Sequence, residues 1–548
     1  MKVVDGGGCA SAAVELLSPH SPQDHIFKMS SFPKRKNRSI LRSRASLAGL
    51  TLYGLSFDPA HGREAAITPV PDDPPRLQDA APEADTRDGA ARGQPRITPN
   101  LPANLHKGPR QGEHLRIWQN RPLKAIKQSA ESDFPLGPLS HIPLGDGGAY
   151  LSIHGEERMR MIRQDRSSLG TSRQPRQLNI QFRHQWGAEL HINDSVRFVG
   201  ELVYGQVTGK NYVTPAIDRQ DNGPEISQAF VEMQDKMAGG RVGAVLGRQK
   251  MQLGSGSVIS LQIAQNIQRS YDGVRAYYER DKFRFDAIAV RPSTFTHGAF
   301  NDSTSDTESI WGGYAAYALP RGKRVALNLD AFYFRYRDED SPLLGQRSVE
   351  ERNNFGTRLW GIVGPAQLDF TLNRQTGQIA DKPIRAWSLI SATRINLSTG
   401  SLKPALILQA DVLSGGDRNG AVIHTYNHMY GRQRHNNFGN LLGLTNLYSF
   451  GGALRVKPSK DLVLQAGVRN FWRYSIHDGH AIGYQTFVNN TKTRERFIGT
   501  LPTVSVQYQL TREISMRAVA ARLLSSDGYK ELGQRDLTNL GFEFNVLF

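Results

Sequence analysis

Residues Leu178 to Leu190 read LNIQFRHQWGAEL, and their side chains sort into two sets by alternate position. Leu178, Ile180, Phe182, Trp186, Ala188 and Leu190 make one set; Asn179, Gln181, Arg183, Gln185 and Glu189 make the other. An extended chain points successive side chains to opposite faces, so this segment reads as a strand with one apolar and one polar side. Thr503 to Leu510 repeats the pattern, with Val504, Val506, Tyr508 and Leu510 opposite Thr503, Ser505, Gln507 and Gln509. From Tyr150 to the C-terminus the chain divides into about 18 such segments of roughly nine to thirteen residues, the length that crosses a hydrocarbon layer as a tilted strand.

The connections alternate as well. Short turns fall near 191–194, 236–240, 281–282, 320–324, 364–365, 398–401, 458–461 and 512–514. Long polar loops fall near 163–177, 207–224, 251–271, 292–308, 338–352, 378–385, 414–448, 474–501 and 525–537. Outer-membrane barrels pair short periplasmic turns with long external loops in this way. The last segment carries an apolar face of Leu540, Phe542, Phe544, Val546 and Phe548 against Asn539, Gly541, Glu543 and Asn545. A final strand ending in an aromatic residue is the signal expected to engage the barrel-assembly machinery, here through Phe548. The fold class that follows is all-β, a single transmembrane up-and-down antiparallel β-barrel of about 18 strands behind a disordered N-terminal extension. Trp186, Tyr204, Trp311, Tyr317, Tyr333, Trp360, Trp387 and Trp472 lie on or near strand ends and are candidates for interfacial girdles.

Composition agrees. The chain has 548 residues, 39% hydrophobic, with no apolar run long enough for a transmembrane helix. Alternating strands keep mean hydropathy low even in a membrane protein. The formal charge is +17, and the excess persists beyond residue 150, where about 49 Lys and Arg face about 36 Asp and Glu. An anionic partner is implied; no zinc-finger, RNA-binding or basic-helix pattern points to nucleic acid. The single cysteine, Cys9, precedes everything expected to fold, which excludes a disulfide framework or thiolate metal site.

Met29 opens a run with Lys34, Arg35, Lys36, Arg38, Arg42 and Arg44, followed by ASLAGLTLYGLSF from Ala45 to Phe57. A basic region before a short apolar one is a secretory leader, so residues 1–62 read as a misplaced start plus signal peptide, with Met29 as the true start. Residues 63–112, rich in Pro, Ala, Asp and Gly, read as a disordered linker. Residues 113–149 read as a periplasmic segment with a short helix near Leu123 to Ala130, and residues 150–548 as the barrel.

About 18 closed strands enclose a lumen too wide for side chains alone to fill, so water is expected inside. With polar parity inward, Arg158 and Arg160 join Glu156 on the first strand, Arg183 the second, and Arg197 with Glu201 the third. Arg275 with Glu279, Arg284 with Asp286, and Arg358 follow, and Arg248 is a further candidate pore-lining residue. Guanidinium groups stay charged and fork toward carboxylates or phosphates, and rings of them are the usual device for anion pores. The plainer alternative is that these charges pair to keep the interior satisfied. Loop 414–448 is the expected gate or plug, with Asp417, Arg418 and Asn419 at its entry.

Leu136 to Met161 (LGPLSHIPLGDGGAYLSIHGEERMRM), Gly247-Arg248-Gln249 with Leu253-Gly254, Asn266 to Arg275 (NIQRSYDGVR), and Ser414 to Asn419 (SGGDRN) with Tyr426-Asn427 resemble the alginate-export family of outer-membrane barrels. The resemblance runs from roughly residue 115 to the end. It implies an 18-stranded barrel with an arginine-rich constriction that passes a polyuronate or another solute, in the outer membrane of a Gram-negative bacterium. The leader and Pro-rich linker depart from the family.

The reading is therefore a porin, not an enzyme, without metal or cofactor. It sits in outer-membrane lipid and carries an anionic solute or polysaccharide. Two alternatives remain. One is a barrel hydrolase using His477, Asp478 and His480 in an external loop. The other is a plugged, purely structural barrel.

Overall fold

A computed structural model describes residues 133–548 apart from 167–175, 211–218, 264, 345–346, 418, 433–441, 483–485 and 489–492, together with Ile126, Ala130 and Glu131. The expected leader, the start at Met29 and the linker over 63–112 lie outside the described residues. Of the helix expected at Leu123 to Ala130, Ile126 and Ala130 are described, and both are helical.

The first six strands of the barrel are β1 (Tyr150–Asp165), β2 (Arg176–His191), β3 (Val196–Lys210), β4 (Asn222–Met237), β5 (Gly240–Gln249) and β6 (Tyr271–Arg280). Next come β7 (Phe283–Pro292), β8 (Glu308–Ala318), β9 (Val325–Ser341), β10 (Ser348–Val363), β11 (Ala366–Ile379) and β12 (Lys382–Asn396). The last six are β13 (Ala405–Leu413), β14 (Leu447–Val456), β15 (Leu462–Arg473), β16 (Phe497–Gln509), β17 (Ile514–Ser525) and β18 (Leu537–Leu547). Each pairs antiparallel with its sequence neighbours, and β1 closes the sheet on β18 from Glu156↔Leu547 to Asp165↔Thr538. Closure leaves no lipid-exposed edge, which a bilayer demands because it offers no water to unpaired backbone groups. A two-residue bridge, Ile142–Pro143, adds to the base of β1, and His480–Ile482 with Thr486–Val488 forms a separate two-stranded sheet.

Alternation holds along the strands. On β3, Arg197, Val199, Glu201 and Val203 are buried while Phe198 and Leu202 are exposed. Outward apolar side chains of this kind, among them Leu246, Val274, Leu329, Leu359 and Leu372, form the lipid-facing wall. Trp186, Tyr204, Trp311, Tyr317, Tyr333, Trp387 and Trp472 share that outward parity. Trp360 does not: it lies on the inward side of β10 beside Arg358, its indole nitrogen donating to Asp330 at 2.9 Å. Phe548 packs edge-on against Trp186 at 4.9 Å, and its backbone nitrogen donates to the Gly155 carbonyl at 3.1 Å.

Two expectations change. Strands reach 17 residues in β9, beyond the expected thirteen, because hairpin pairing continues past the hydrocarbon layer into water. The long loop expected at 378–385 is a two-residue turn, since β11 and β12 pair up to Ile379↔Lys382. Ala380 takes φ 51° there, the left-handed twist that suits a tight hairpin. Gln378, Lys382 and Pro383 look loop-like in sequence because a hairpin standing in water need not alternate.

Candidate channel constriction

Several inward faces carry apolar side chains where water was expected. Ile288, Val290, Ile310, Tyr314, Phe332, Phe334 and Tyr336 point inward from β7, β8 and β9, all buried. They are covered by the connection between β5 and β6, residues 250–270, whose Met251, Leu253, Val258 and Ile259 complete one apolar cluster. The fit is close at Gly254, where φ is +59° and a side chain would run into the Tyr314 hydroxyl.

Charged groups from the barrel wall, and Arg219 from the connection before β4, fasten this loop. The Arg158 guanidinium donates to the Gln265 carbonyl at 3.3 Å and to Asn266 Oδ1 at 3.0 Å. Arg183 donates to the Asn266 carbonyl at 3.1 Å and pairs with Glu156. Arg219 donates to Gln262 Oε1 at 2.7 Å. Lys250, at the root of the loop, pairs with Glu201 and donates to Gln185 at 2.9 Å. Arg158 and Arg183 are therefore loop fasteners buried at 2% and 0% exposure, and the expectation that they front the channel water is corrected. The reason is that an infolded loop brings carbonyl oxygens to where a bare wall would present only solvent.

A second connection enters from the opposite side. Residues 414–446 join β13 to β14, and the stretch from Thr425 to Arg432 is buried apart from the half-buried Asn427. Ile259 and Tyr430 form a parallel bridge between the two loops. Ser260 donates from its backbone to the Tyr430 carbonyl at 3.1 Å, and Arg432 to the Gly256 carbonyl at 2.8 Å. The Tyr430 ring meets Tyr271 and Tyr336 edge-on at 5.6 and 5.8 Å. Ile423, Tyr426, Leu442 and Leu444 pack with Ile384, Leu413, Phe471 and Leu523 in a further cluster. Arg352 holds the Thr425 carbonyl at 3.2 Å and Glu350 at 2.6 Å. His428 lies buried in the same stretch, where loss of hydration pushes its imidazole down to about 4. The infolded stretch is not the expected entry motif: Asp417 and Asn419 sit in an exposed turn, the Asn419 nitrogen donating to Asp417 at 2.9 Å, and Arg418 lies outside the described residues.

The other singled-out charges are paired. Arg160 donates to Glu543 at 2.7 Å. Arg197 bridges Glu189 and Glu232, each at 2.6 Å. Arg284 grips Asp286 with two bonds of 2.7 and 2.8 Å, and Arg275 approaches the same carboxylate at 3.3 Å. Arg358 forks onto Asp369 with two bonds of 2.7 Å. All of these are inward. Arg248 is not: it shares the parity of the exposed Leu246, so it lies on the outer face, in a two-bond pair with Asp272 at 2.7 and 2.9 Å. It was misassigned because a polar residue near the external rim can occupy either face without penalty.

Sequence reasoning also passed over inward cations. Arg352, Arg469 and Arg473 are buried on β10 and β15, with Arg469 held by Asp411 at 2.8 Å and Gln409 at 2.7 Å. Arg241 lies inward near the short-turn end of β5 and keeps 43% of its side chain exposed while pairing with Glu279 at 2.7 Å. Their parity on alternating strands was the available signal. Beside Arg469, the glycines 451 and 467 leave a shallow recess bounded by Ile407, Gln409 and Thr503.

Asp478, expected in a hydrolytic site, instead accepts hydrogen bonds from the Thr425 hydroxyl at 2.6 Å and the Gly416 nitrogen at 3.2 Å. It anchors the second loop. The His477 side chain is exposed, and the His480 side chain lies outside the described residues.

The profile of a family described as alginate export matches residues 149–543. The chain belongs to the alginate export family. No curated protein sequence matches this alginate-export barrel. In fold it is similar to OccK9 (OpdG) of Pseudomonas aeruginosa, at 11% identity and a TM-score of 0.50, over 73% of this chain and 98% of that one. It is also similar to the outer-membrane protein OpdK of Pseudomonas aeruginosa, at 12% identity and a TM-score of 0.48, over 73% and 98% of the two chains. A BenF-like porin of Pseudomonas fluorescens Pf-5 matches at 10% identity and a TM-score of 0.47, over 73% and 99%. The alginate-export barrel is thus an outer-membrane protein of a family of channels.

Proposed function

We propose that the barrel gives passive passage to an anionic, hydroxyl-rich solute, a uronate polymer or a smaller organic acid, around and between its two infolded loops. The observation that carries this reading is the set of inward guanidinium groups at the height of the loops and below them. Each is held in place by an acid or a carbonyl, so the chain fixes its geometry without cancelling the net positive charge of the barrel. Arg241 and Arg275 are the inward arginines best placed to meet a passing carboxylate, because both keep part of their side chains in water. A paired arginine still offers its remaining N–H donors to a second anion. A catalytic reading has less support, since Asp478 is spent on loop anchoring.

Planar-bilayer recording tests the proposal. Under a salt gradient, the reversal potential is expected to report anion preference, and Arg241→Ser with Arg275→Ser to reduce it severalfold. A second reading, a plugged barrel, draws on the two apolar clusters inside the wall; a total absence of conductance would favour it and end the porin reading. Equal anion and cation permeability before and after the substitutions would end the anionic part alone.

A further inference from the structure

The outer face of β9–β12 carries a feature that passage does not need. Strand register places Tyr333, Phe355, Arg374 and Trp387 side by side on four neighbouring strands. One rung further out stand Arg335, Asn353, Thr376 and Arg385, and beyond them Arg337 beside Glu351. One rung in the other direction the wall turns apolar, with Leu372 at 48% exposure. All share outward parity, so cations begin where the lipid-facing surface ends. Residues directly opposite on paired strands lie roughly 5 Å apart and diagonal neighbours roughly 7–8 Å apart, so Arg374 and Arg385 can reach one ligand together.

These arginines are not all neutralised. Glu351 is shared between Arg335 at 2.9 Å and Arg337 at 2.7 Å. Arg374 and Arg385 are exposed, and among the described residues their guanidinium groups have no ion-pair or hydrogen-bond partner. β11 turns into β12 through two residues and β9 into β10 through residues 342–347. The long connection after β13 pairs with the edge of β12 through Ile423, and Tyr474 packs on Trp387, yet both leave the Arg374 and Arg385 side chains exposed. An arginine above an aromatic ring at the edge of a bilayer matches a ligand with phosphate at one end and acyl chains at the other.

We propose that this face docks a phosphorylated glycolipid of the outer leaflet. Its phosphates would sit on Arg374 and Arg385, with Arg335 at the margin, and its acyl chains along Phe355, Leu372 and Leu389. The surface is separate from the lumen, so conductance and ion preference serve as internal controls.

The test uses the full chain purified in dodecyl maltoside, with diphosphoryl lipid A as the probe and native mass spectrometry as the readout. Lipid A is expected to remain bound to the wild type and to weaken roughly ten- to thirtyfold in Arg374→Ser/Arg385→Ser, taking about one kcal/mol per surface cation. Arg374→Gln/Arg385→Gln, closer in volume, is expected to show the same loss and serves if the Ser pair fails to fold. Arg522→Ser, an exposed outward cation on β17, is expected to leave binding unchanged. Undiminished binding in both double variants would overturn the proposal. So would equal retention of fully dephosphorylated lipid A, or complete displacement by millimolar inorganic phosphate.

Discussion

Replacing Arg183 by Met separates a loop fastener from an ion contact. Arg183 is fully buried, pairs with Glu156 and donates to the Asn266 carbonyl at 3.1 Å. Met keeps much of the apolar volume and removes the charge. Glu156, itself 1% exposed, then loses its guanidinium partner in a poorly hydrated site. Breaking one partner of a buried pair costs about 3–5 kcal/mol, which at about 1.4 kcal/mol per decade favours loop-withdrawn states a hundredfold or more. The wall around Arg183 is a continuous hydrogen-bonded sheet, so the loss falls on loop 250–270 and not on the barrel. Single-channel recording is expected to show larger, noisier openings with anion preference retained. Adding Glu156→Gln removes the charge that has lost its Arg183 partner and is expected to restore more than half of the quiet state. Wild-type conductance with weakened anion preference in Arg183→Met would refute the reasoning, because it would mean that Arg183 touches the permeating ion.

Asp478→Ala removes the acceptor of the Thr425 hydroxyl and the Gly416 nitrogen. At about 1–3 kcal/mol per donor left unmade, or about 2–6 kcal/mol for the two, proteolysis within 414–446 is expected to accelerate by roughly one and a half to four decades. His428 has a lowered value of about 4 in the folded chain against an ordinary 6.5. Its contribution is therefore complete above about pH 6.5 and is lost as pH falls toward 4, so channel noise is expected to rise over that window and to stay flat in His428→Phe. Arg248→Ser, on the outer face, is expected to leave conductance and selectivity unchanged and to loosen residues 293–307, whose Asp302 carbonyl it holds at 3.3 Å, by about 1 kcal/mol in hydrogen exchange.

The wall of this protein was legible residue by residue, because a period of two is imposed by strand geometry alone and lipid punishes every exception. The parity of Arg158, Arg183, Arg197, Arg284 and Arg358 followed from it. What filled the interior did not follow. Leu253, Ile259 and Tyr430 sit in loops with no period, and their pairing across the lumen depends on contacts about 170 residues apart. A hint was present in Ile288, Val290, Phe332 and Phe334, apolar side chains on faces expected to be wet. Outward polar residues such as Arg248 escaped for a related reason: near the rim, water accepts both faces and the pattern stops constraining them.

Closure of the ring by Glu156 against Leu547 has a consequence for biogenesis. The partners of that seam are the first and last strands of the barrel, so the growing sheet carries two raw borders until the strand Leu537–Leu547 arrives. No intermediate can seal itself, and contacts this distant in sequence form slowly. A chain stalled or clipped short of residue 537 would keep every earlier hairpin and still present an open margin to the bilayer.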